Sequence, residues 1–366
     1  MRVPYVDLGG QFTPHMDQYL AKVREVLSDG YLILGPEVTT LEESFAKYCG
    51  TKYAVGVANG TDSLVMIMRG LGIGPGDEVI TAPNSYLASA SSVAMVGATP
   101  IFADVQGDMN IAPAEIEKKI STRTKAIMPV HLTGRPADMD KIMEIAERHN
   151  VHIIEDAAQA VGAEYKSKRV GSFGIANSFS LHPLKNLGAA GDAGIITTNN
   201  ENLYQYLCKA RTHGMSSRDK CEFWSNNSRI DALQAAFLNI KMRFLDKWNE
   251  ERRKNAQIYI DRLKDYVCVP ADDDLRQSVY HAFVIQTDRR DELMQFLKDR
   301  EIDTKIHYPI PIHLQESAKY LGNQPGSYPE TEKQITRILS LPVFPELSEI
   351  QVNYVADSII EFFTGG

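Results

Sequence analysis

Cysteine is scarce in this chain and never closely spaced. Cys49, Cys208, Cys221 and Cys268 lie far apart with no Cys-x-x-Cys among them, so neither a zinc site nor a disulfide framework is indicated and a reducing compartment fits. A basic excess is also missing. Lys and Arg number 39 against 47 Asp and Glu, a formal charge of -8, which gives no support to general nucleic-acid binding and requires any anionic ligand to be held locally. No apolar run approaches a membrane span, and the opening MRVPYVDLGGQFTPHMDQYL has no basic stretch followed by an apolar core. The expectation is a soluble, cytoplasmic protein with neither nucleic acid nor membrane as partner. Low-complexity tracts and short fixed repeats are absent too. What remains is an ordinary globular composition, 43% hydrophobic and 23% charged over 366 residues, a length that accommodates two or three domains.

Between about residues 37 and 156, β-rich apolar runs alternate with helix-patterned segments. YAVGVA, DEVITA, TPIFADV, KAIMPV and VHIIED read as strands, with helices such as SLVMIMRGLG and DMDKIMEIAERHN between them. Such alternation predicts βαβ units and a mainly parallel sheet covered by helices, whose ligands bind beyond the carboxyl ends of the strands. The stretch IDALQAAFLNIKMRFLDKWNEERRKNAQIYIDRLK is too long for one ordinary globular helix and is expected to bend or to link two domains. Beyond it, SVYHAFVIQT reads as a strand, RRDELMQFLKDR as a helix and SEIQVNYVADSIIEFF as a closing helix with a Ser348/Gln351 capping box. The expected division is a large domain over residues 1–245 and a smaller α/β domain over 246–366.

Motifs at strand ends carry the chemistry. In NSFSLHPLKNLGAAGDAGIITT, Lys185 sits among Pro183, Leu184, Leu187 and Gly188. Partial desolvation there lowers an amine's pKa and leaves a usable nucleophile, although a lysine whose stem packs while its head reaches water fits the same segment. VHIIEDAAQAVGA delivers Asp156 at a strand end, beside Ala157 and Ala158 and three residues before Gln159. Alone, such a carboxylate is more often a helix cap than a catalytic group. With small neighbours it also suits a flat ring, and a carboxylate facing a pyridine nitrogen keeps that nitrogen protonated. In VANGTDSLVMIM, Gly60 and Thr61 open a helix after a strand, which is either a plain capped turn or a site for a phosphate monoester. Ser180, five residues before Lys185, offers a further hydroxyl, and Tyr86 in TAPNSYLASASSV is an aromatic able to lie against a ring or to pack in the core. Phosphate turn, aromatic, acid with Gln, then Ser and Lys, all at strand ends of one α/β domain, is the arrangement that a Schiff-base cofactor requires.

The chain resembles the DegT/DnrJ/StrS group of sugar-nucleotide aminotransferases, pyridoxal-phosphate enzymes of the aspartate-aminotransferase fold (fold type I), over essentially its whole length. GPEVTTLEESFAKYCGTKYAVGVANGTDSL, GATPIFADV, IIEDAAQAVGA, SFSLHPLKNLGAAGDAGIITT, RTHGM and NSRIDALQAA carry the resemblance in order. It implies that Lys185 binds pyridoxal 5'-phosphate covalently, Asp156 pairs with the pyridine nitrogen and Gln159 approaches the ring hydroxyl. It further implies that Gly60, Thr61 and Ser180 hold the phosphate and that Tyr86 stacks on the ring. NSR belongs to a loop that in the family reaches the neighbouring subunit's phosphate, which makes Asn227 and Arg229 candidates in trans and implies a homodimer. Related dehydratases replace the lysine with histidine; here Lys185 is kept, with His182 nearby, and lysine favours transamination because the amine must also carry a proton.

The implied activity is transfer of the amino group of L-glutamate to a nucleotide-linked keto-sugar. HYPIPIHL looks more like members that aminate C3 of 6-deoxy sugars than those that aminate C4, so a dTDP-3-keto-6-deoxyhexose is the expected substrate and C4 amination of a 4-keto sugar the alternative. His307, Tyr308 and His313 in KIHYPIPIHLQ are candidate sugar contacts; roles for His182 and His213 stay open. A non-catalytic regulatory relative is opposed by the retained Lys185, Asp156 and Gln159. Desulfuration is opposed by the lack of a cysteine in a glycine-rich loop.

Overall fold

Six strands of the sheet run the same way, and this brings the chemistry-bearing turns to one edge. The computed structural model describes residues 1–270 and 273–365. The chain forms β1 (Tyr53–Val57), α1 (Gly60–Gly70), β2 (Glu78–Thr81), α2 (Ala88–Met95), β3 (Thr99–Phe102), β4 (Thr124–Ile127), α3 (Met139–His149), β5 (His152–Asp156), β6 (Ala176–Ser180) and β7 (Gly194–Thr198). These strands make one seven-stranded sheet in the order β1-β7-β6-β5-β4-β2-β3. Only β7 is antiparallel to its neighbours, pairing Val57 and Ser180 each with Gly194. The carboxyl ends of β1, β5 and β6 and the start of β7 therefore share an edge where the strand order departs from the chain order, the position at which open α/β sheets place their ligands.

The strands read as near-continuous apolar runs because both faces are covered. Val55 and Val57 of β1 and Leu64 to Met68 of α1 are buried in one cluster, while Ile80, Ile127 and Ile153 pack with α3 in another. The long helical stretch breaks at Arg243–Phe244 into α4 (Ala232–Met242) and α5 (Leu245–Leu263). Leu245 belongs to the core under the sheet, whereas Ala256, Tyr259 and Leu263 of the same helix enter a second core. That second core is formed with β8 (Phe283–Gln286), α6 (Arg290–Asp299), β9 (Ile338–Leu341) and α7 (Glu349–Thr364). The helix α5 is thus the beam between the two cores. Val3 also lies in the second core, tied by its N–H to the Glu301 carbonyl at 2.9 Å, so the first residues join the smaller unit rather than the larger one that the sequence reading assigned them to.

The capping box of α7 forms as expected: the Ser348 hydroxyl accepts the Gln351 N–H, and the Gln351 side-chain Oε1 accepts the Ser348 N–H at 3.1 Å. A cap of this kind is worth about 1 kcal/mol. Among the described residues, no helix is long and apolar enough to cross a membrane, and no cluster of His, Cys, Asp and Glu could hold a metal ion.

Candidate active site

The end of β1 and the start of α1 form the first wall of a cleft of about 500 Å³. The Asn59 side chain caps α1 by accepting the Asp62 N–H at 2.8 Å, which leaves the N–H groups of Gly60 and Thr61 at the cleft wall, where the helix dipole favours an anion. Two glycines permit the close packing behind them. A Cβ on Gly60 would meet that of Ser180 at 2.9 Å, and a Cβ on Gly194 would meet the Asn59 carbonyl carbon at 2.5 Å. The Gly60 carbonyl accepts from Ser63 Oγ at 2.7 Å and Ser178 Oγ at 3.1 Å, so the turn is pinned to β6. Gly60, Thr61 and Ser180 all line the cleft.

Asp156 ends β5 on the cleft floor. One carboxylate oxygen accepts Ser89 Oγ at 2.8 Å and the other the Ala158 N–H at 3.2 Å. Burial raises its pKa above the ordinary value, while the Ser89 hydroxyl, the Ala158 N–H and the charge of Lys185 act to lower it. A further cationic or N–H partner at this carboxylate would offset the cost of its burial.

Lys185 is half-buried on the turn between β6 and β7, with its own N–H bonded to the His182 carbonyl at 2.8 Å. Burial pushes its ammonium down to about 8, opposed by the attraction of Asp156. At pH 7.5 an amine of that pKa is free in roughly a quarter of molecules, against about one in a thousand for an ordinary lysine.

The second domain closes the cleft through Tyr308, His307 and His281. Gln159 accepts the Thr133 N–H at 2.7 Å and donates to the Tyr308 hydroxyl at 3.3 Å, tying the two units across the opening. Tyr86, 58% exposed, faces Tyr308 with ring centroids 5.7 Å apart. His307 bonds Ser340 Oγ through Nδ1 at 2.9 Å, and burial drives its pKa down to about 4.

Three of the residues singled out from the sequence lie away from this cleft. His313 is buried against Tyr328 and bonded to Glu332 at 3.1 Å, because the Ile312 N–H docks on the Pro83 carbonyl at 2.7 Å and turns the next residue inward. Asn227 and Arg229 bond one another at 2.9 Å on a surface loop. Of the histidines left open, His182 borders the cleft and His213 does not. Sequence reasoning did not single out Ser89, which reaches Asp156 over a separation of 67 residues, nor His281.

The residues present fit pyridoxal phosphate. The pinned N-terminus of α1 with Ser180 suits its phosphate, the buried Asp156 carboxylate suits a protonated ring nitrogen, and the depressed Lys185 amine suits its aldehyde. A model of the DegT/DnrJ/EryC1/StrS aminotransferase family matches residues 15–360. The chain belongs to that family. It is 43% identical to a pleiotropic regulatory protein of Geobacillus stearothermophilus, over 99% of each chain. It is 42% identical to dTDP-3-amino-3,4,6-trideoxy-alpha-D-glucose transaminase of Streptomyces venezuelae, over 99% of this chain and 96% of that one. The crystal structure of S. venezuelae DesV with a ketimine intermediate superposes with a TM-score of 0.97 at 41% identity, covering 99% of both chains. NtdA of Bacillus subtilis with bound PMP superposes at 0.92 and 30% identity, covering 99% of this chain and 85% of that one. The fold is therefore the aspartate-aminotransferase type, fold type I, and the protein is a pyridoxal-phosphate-dependent aminotransferase.

The depressed amine carries a prediction. The rate of covalent pyridoxal phosphate uptake by the apoprotein rises with pH through about 8 and levels off by about pH 9, read by stopped-flow absorbance. A rate that keeps climbing to pH 10 is the behaviour of an ordinary lysine and contradicts the burial argument.

Proposed function

We propose that this enzyme moves the amino group of L-glutamate to the C3 ketone of a dTDP-linked 6-deoxyhexose, with Lys185 as the catalytic residue of both half-reactions. The observation that carries the reading is the pairing on one cleft floor of a desolvated amine, Lys185, with a buried carboxylate, Asp156. When bound, pyridoxal phosphate would supply an electron sink to the reacting carbon. Lys185 Nζ would hold the cofactor and, as the one desolvated amine on the cleft floor, would take and return the proton at the substrate carbon in each half-reaction. Asp156 keeps the ring nitrogen protonated, with Ser89 and the Ala158 N–H fixing the carboxylate's direction. Gly60, Thr61 and Ser180 would hold the phosphate, Gln159 would approach the ring hydroxyl, and Tyr86 would lie against the ring. Tyr308 and His307 wall off the sugar and exclude water.

Support for the C3 ketone comes from the 3-amino sugar in the name of the Streptomyces venezuelae relative and from Tyr308, which stands beside Tyr86 with its hydroxyl accepting from Gln159 and offers a wall to the sugar. The name of the Geobacillus relative does not favour a regulatory role here, since the amine and the carboxylate that transamination needs are both present.

Asn227 and Arg229 lie outside the cleft of their own chain, exposed and half-buried respectively. In a homodimer they reach the partner's phosphate, which supplies the local positive charge that a chain of net charge -8 otherwise lacks. Mixing the inactive variants Lys185→Ala and Arg229→Ala then rebuilds one intact site per hybrid dimer, and random exchange restores about one quarter of wild-type activity. No recovery, with exchange verified by mass, refutes the shared site.

Regiochemistry is read by NMR of the product after incubation with glutamate and either a dTDP-3-keto-6-deoxyhexose or its 4-keto isomer. The 3-amino sugar is expected to form with the higher kcat/KM, because a rotated sugar leaves buried polar groups unpaired. A 4-amino product formed more efficiently overturns the C3 reading and leaves the aminotransferase in place.

A further inference from the structure

His281 enters the cleft beside Lys185 from the second domain, half-buried, and the steps derived above give it no task. Its protonation is set by a chain of amides. Asn249, buried on α5, donates through Nδ2 to the Val161 carbonyl at 3.0 Å, so its Oδ1 is the acceptor that faces Asn186. Asn186, also buried, donates through Nδ2 both to Asn249 Oδ1 and to the Val279 carbonyl, each at 2.9 Å. Both donors of that amide are committed, and the atom turned toward His281 is the acceptor Oδ1, 3.3 Å from Nδ1. A carbonyl-type oxygen there requires a proton on Nδ1. In the neutral ring this leaves Nε2 as a lone-pair acceptor.

We propose that His281 is a specificity residue whose Nε2 accepts a hydrogen bond from a hydroxyl of the keto-sugar, held in that tautomer by the Asn249–Asn186 relay. The inference rests on the sugar-nucleotide reading above. An acceptor with no proton to give suits a neutral donor and disfavours the carboxylates of glutamate, so the contact belongs to one half-reaction only. The surroundings keep the ring neutral. Burial, followed by the positive charge of Lys185 and Arg252 and the neighbouring His307 and His182, holds its pKa well below the ordinary value. Its Nδ1 partner is an amide, not a carboxylate that would stabilise the imidazolium.

The relay also links the contact to cleft architecture. Asn186 follows Lys185 directly, Asn249 lies on the helix that joins the two cores, and His281 opens the segment leading into β8. The Nδ1–H of His281 therefore has its position fixed by the same turn that carries the catalytic amine, and its free nitrogen is placed relative to that amine.

The test separates the half-reactions in the holoenzyme. In His281→Phe, which keeps a ring but has no acceptor, the sugar half-reaction with a dTDP-3-keto-6-deoxyhexose slows by about ten- to hundredfold in kcat/KM, the range for a stranded hydroxyl. The glutamate half-reaction stays within about threefold. His281→Gln, which can place an oxygen near the Nε2 position, recovers most of the loss. A readout independent of turnover is carbethoxylation of the pyridoxal form, which cannot transaminate a ketone: peptide mapping finds His281 modified at pH 7 and protected by the keto-sugar. Equal slowing of both half-reactions in His281→Phe, no advantage of Gln over Phe, or modification unaffected by the sugar each overturns the role of His281. A wild-type enzyme that reacts with glutamate but with no nucleotide keto-sugar instead refutes the substrate reading on which this inference stands.

Discussion

Everything in this structure depends on keeping an amine and a carboxylate poorly hydrated, close together and open to a third molecule. Desolvation acts in opposite senses on the two groups, lowering the pKa of Lys185 and raising that of Asp156, and in the free protein their mutual attraction compensates only in part. Such a pair is costly to fold around. It is sustained by Ser89 and the Ala158 N–H on the acid, by the His182 carbonyl on the lysine turn, and by the sheet that carries both elements. A cationic ring nitrogen beside the acid and covalent capture of the amine would relieve both strains at once, so the cost of burying the pair becomes affinity and reactivity toward the cofactor.

The sheet topology explains why the two groups meet. With β5 and β6 parallel neighbours, Asp156 pairs in register with Ser178, and the chain needs only the turn after Ser180 to bring Lys185 back over the acid. The reversal at β7 then lets Gly194 lie against Asn59, which seats the α1 N-terminus in the same cleft. Beneath Asp156, its neighbour Glu155 points the other way into a fully buried set of partners. Burial acts to raise its pKa, but the bonds from His131 Nε2 at 3.0 Å and from the Gly171 and Gly174 N–H groups hold it below the ordinary value. Adjacent carboxylates on one strand thus serve opposite faces, one structural and one open to the cleft, as the two-residue period of a strand demands.

Much of this was legible in the sequence, for a physical reason. Phosphate turns, strand-end acids and a lysine in apolar company are local patterns, so Gly60, Asp156 and Lys185 can be found from their immediate neighbours, and the alternation of strand and helix gave the parallel sheet. The break in the long helix was legible as excess length, though not its position at Arg243–Phe244. What escaped depends on contacts across the chain. Ser89 reaches Asp156, and Asn186 reaches both Asn249 and His281, over separations of 63 to 95 residues that leave no local signature. His313 shows the converse. Its proline-rich setting resembles a substrate loop, yet one backbone bond from Ile312 to Pro83 turns its side chain into the core.

The proposed function stands on Lys185 as the amine that binds the cofactor. Borohydride reduction of the holoenzyme followed by digestion and mass spectrometry tests it most directly. A pyridoxyl group is expected on the peptide containing Lys185 and on no other lysine. A label on a different lysine, or none in protein reconstituted with pyridoxal phosphate, would contradict it.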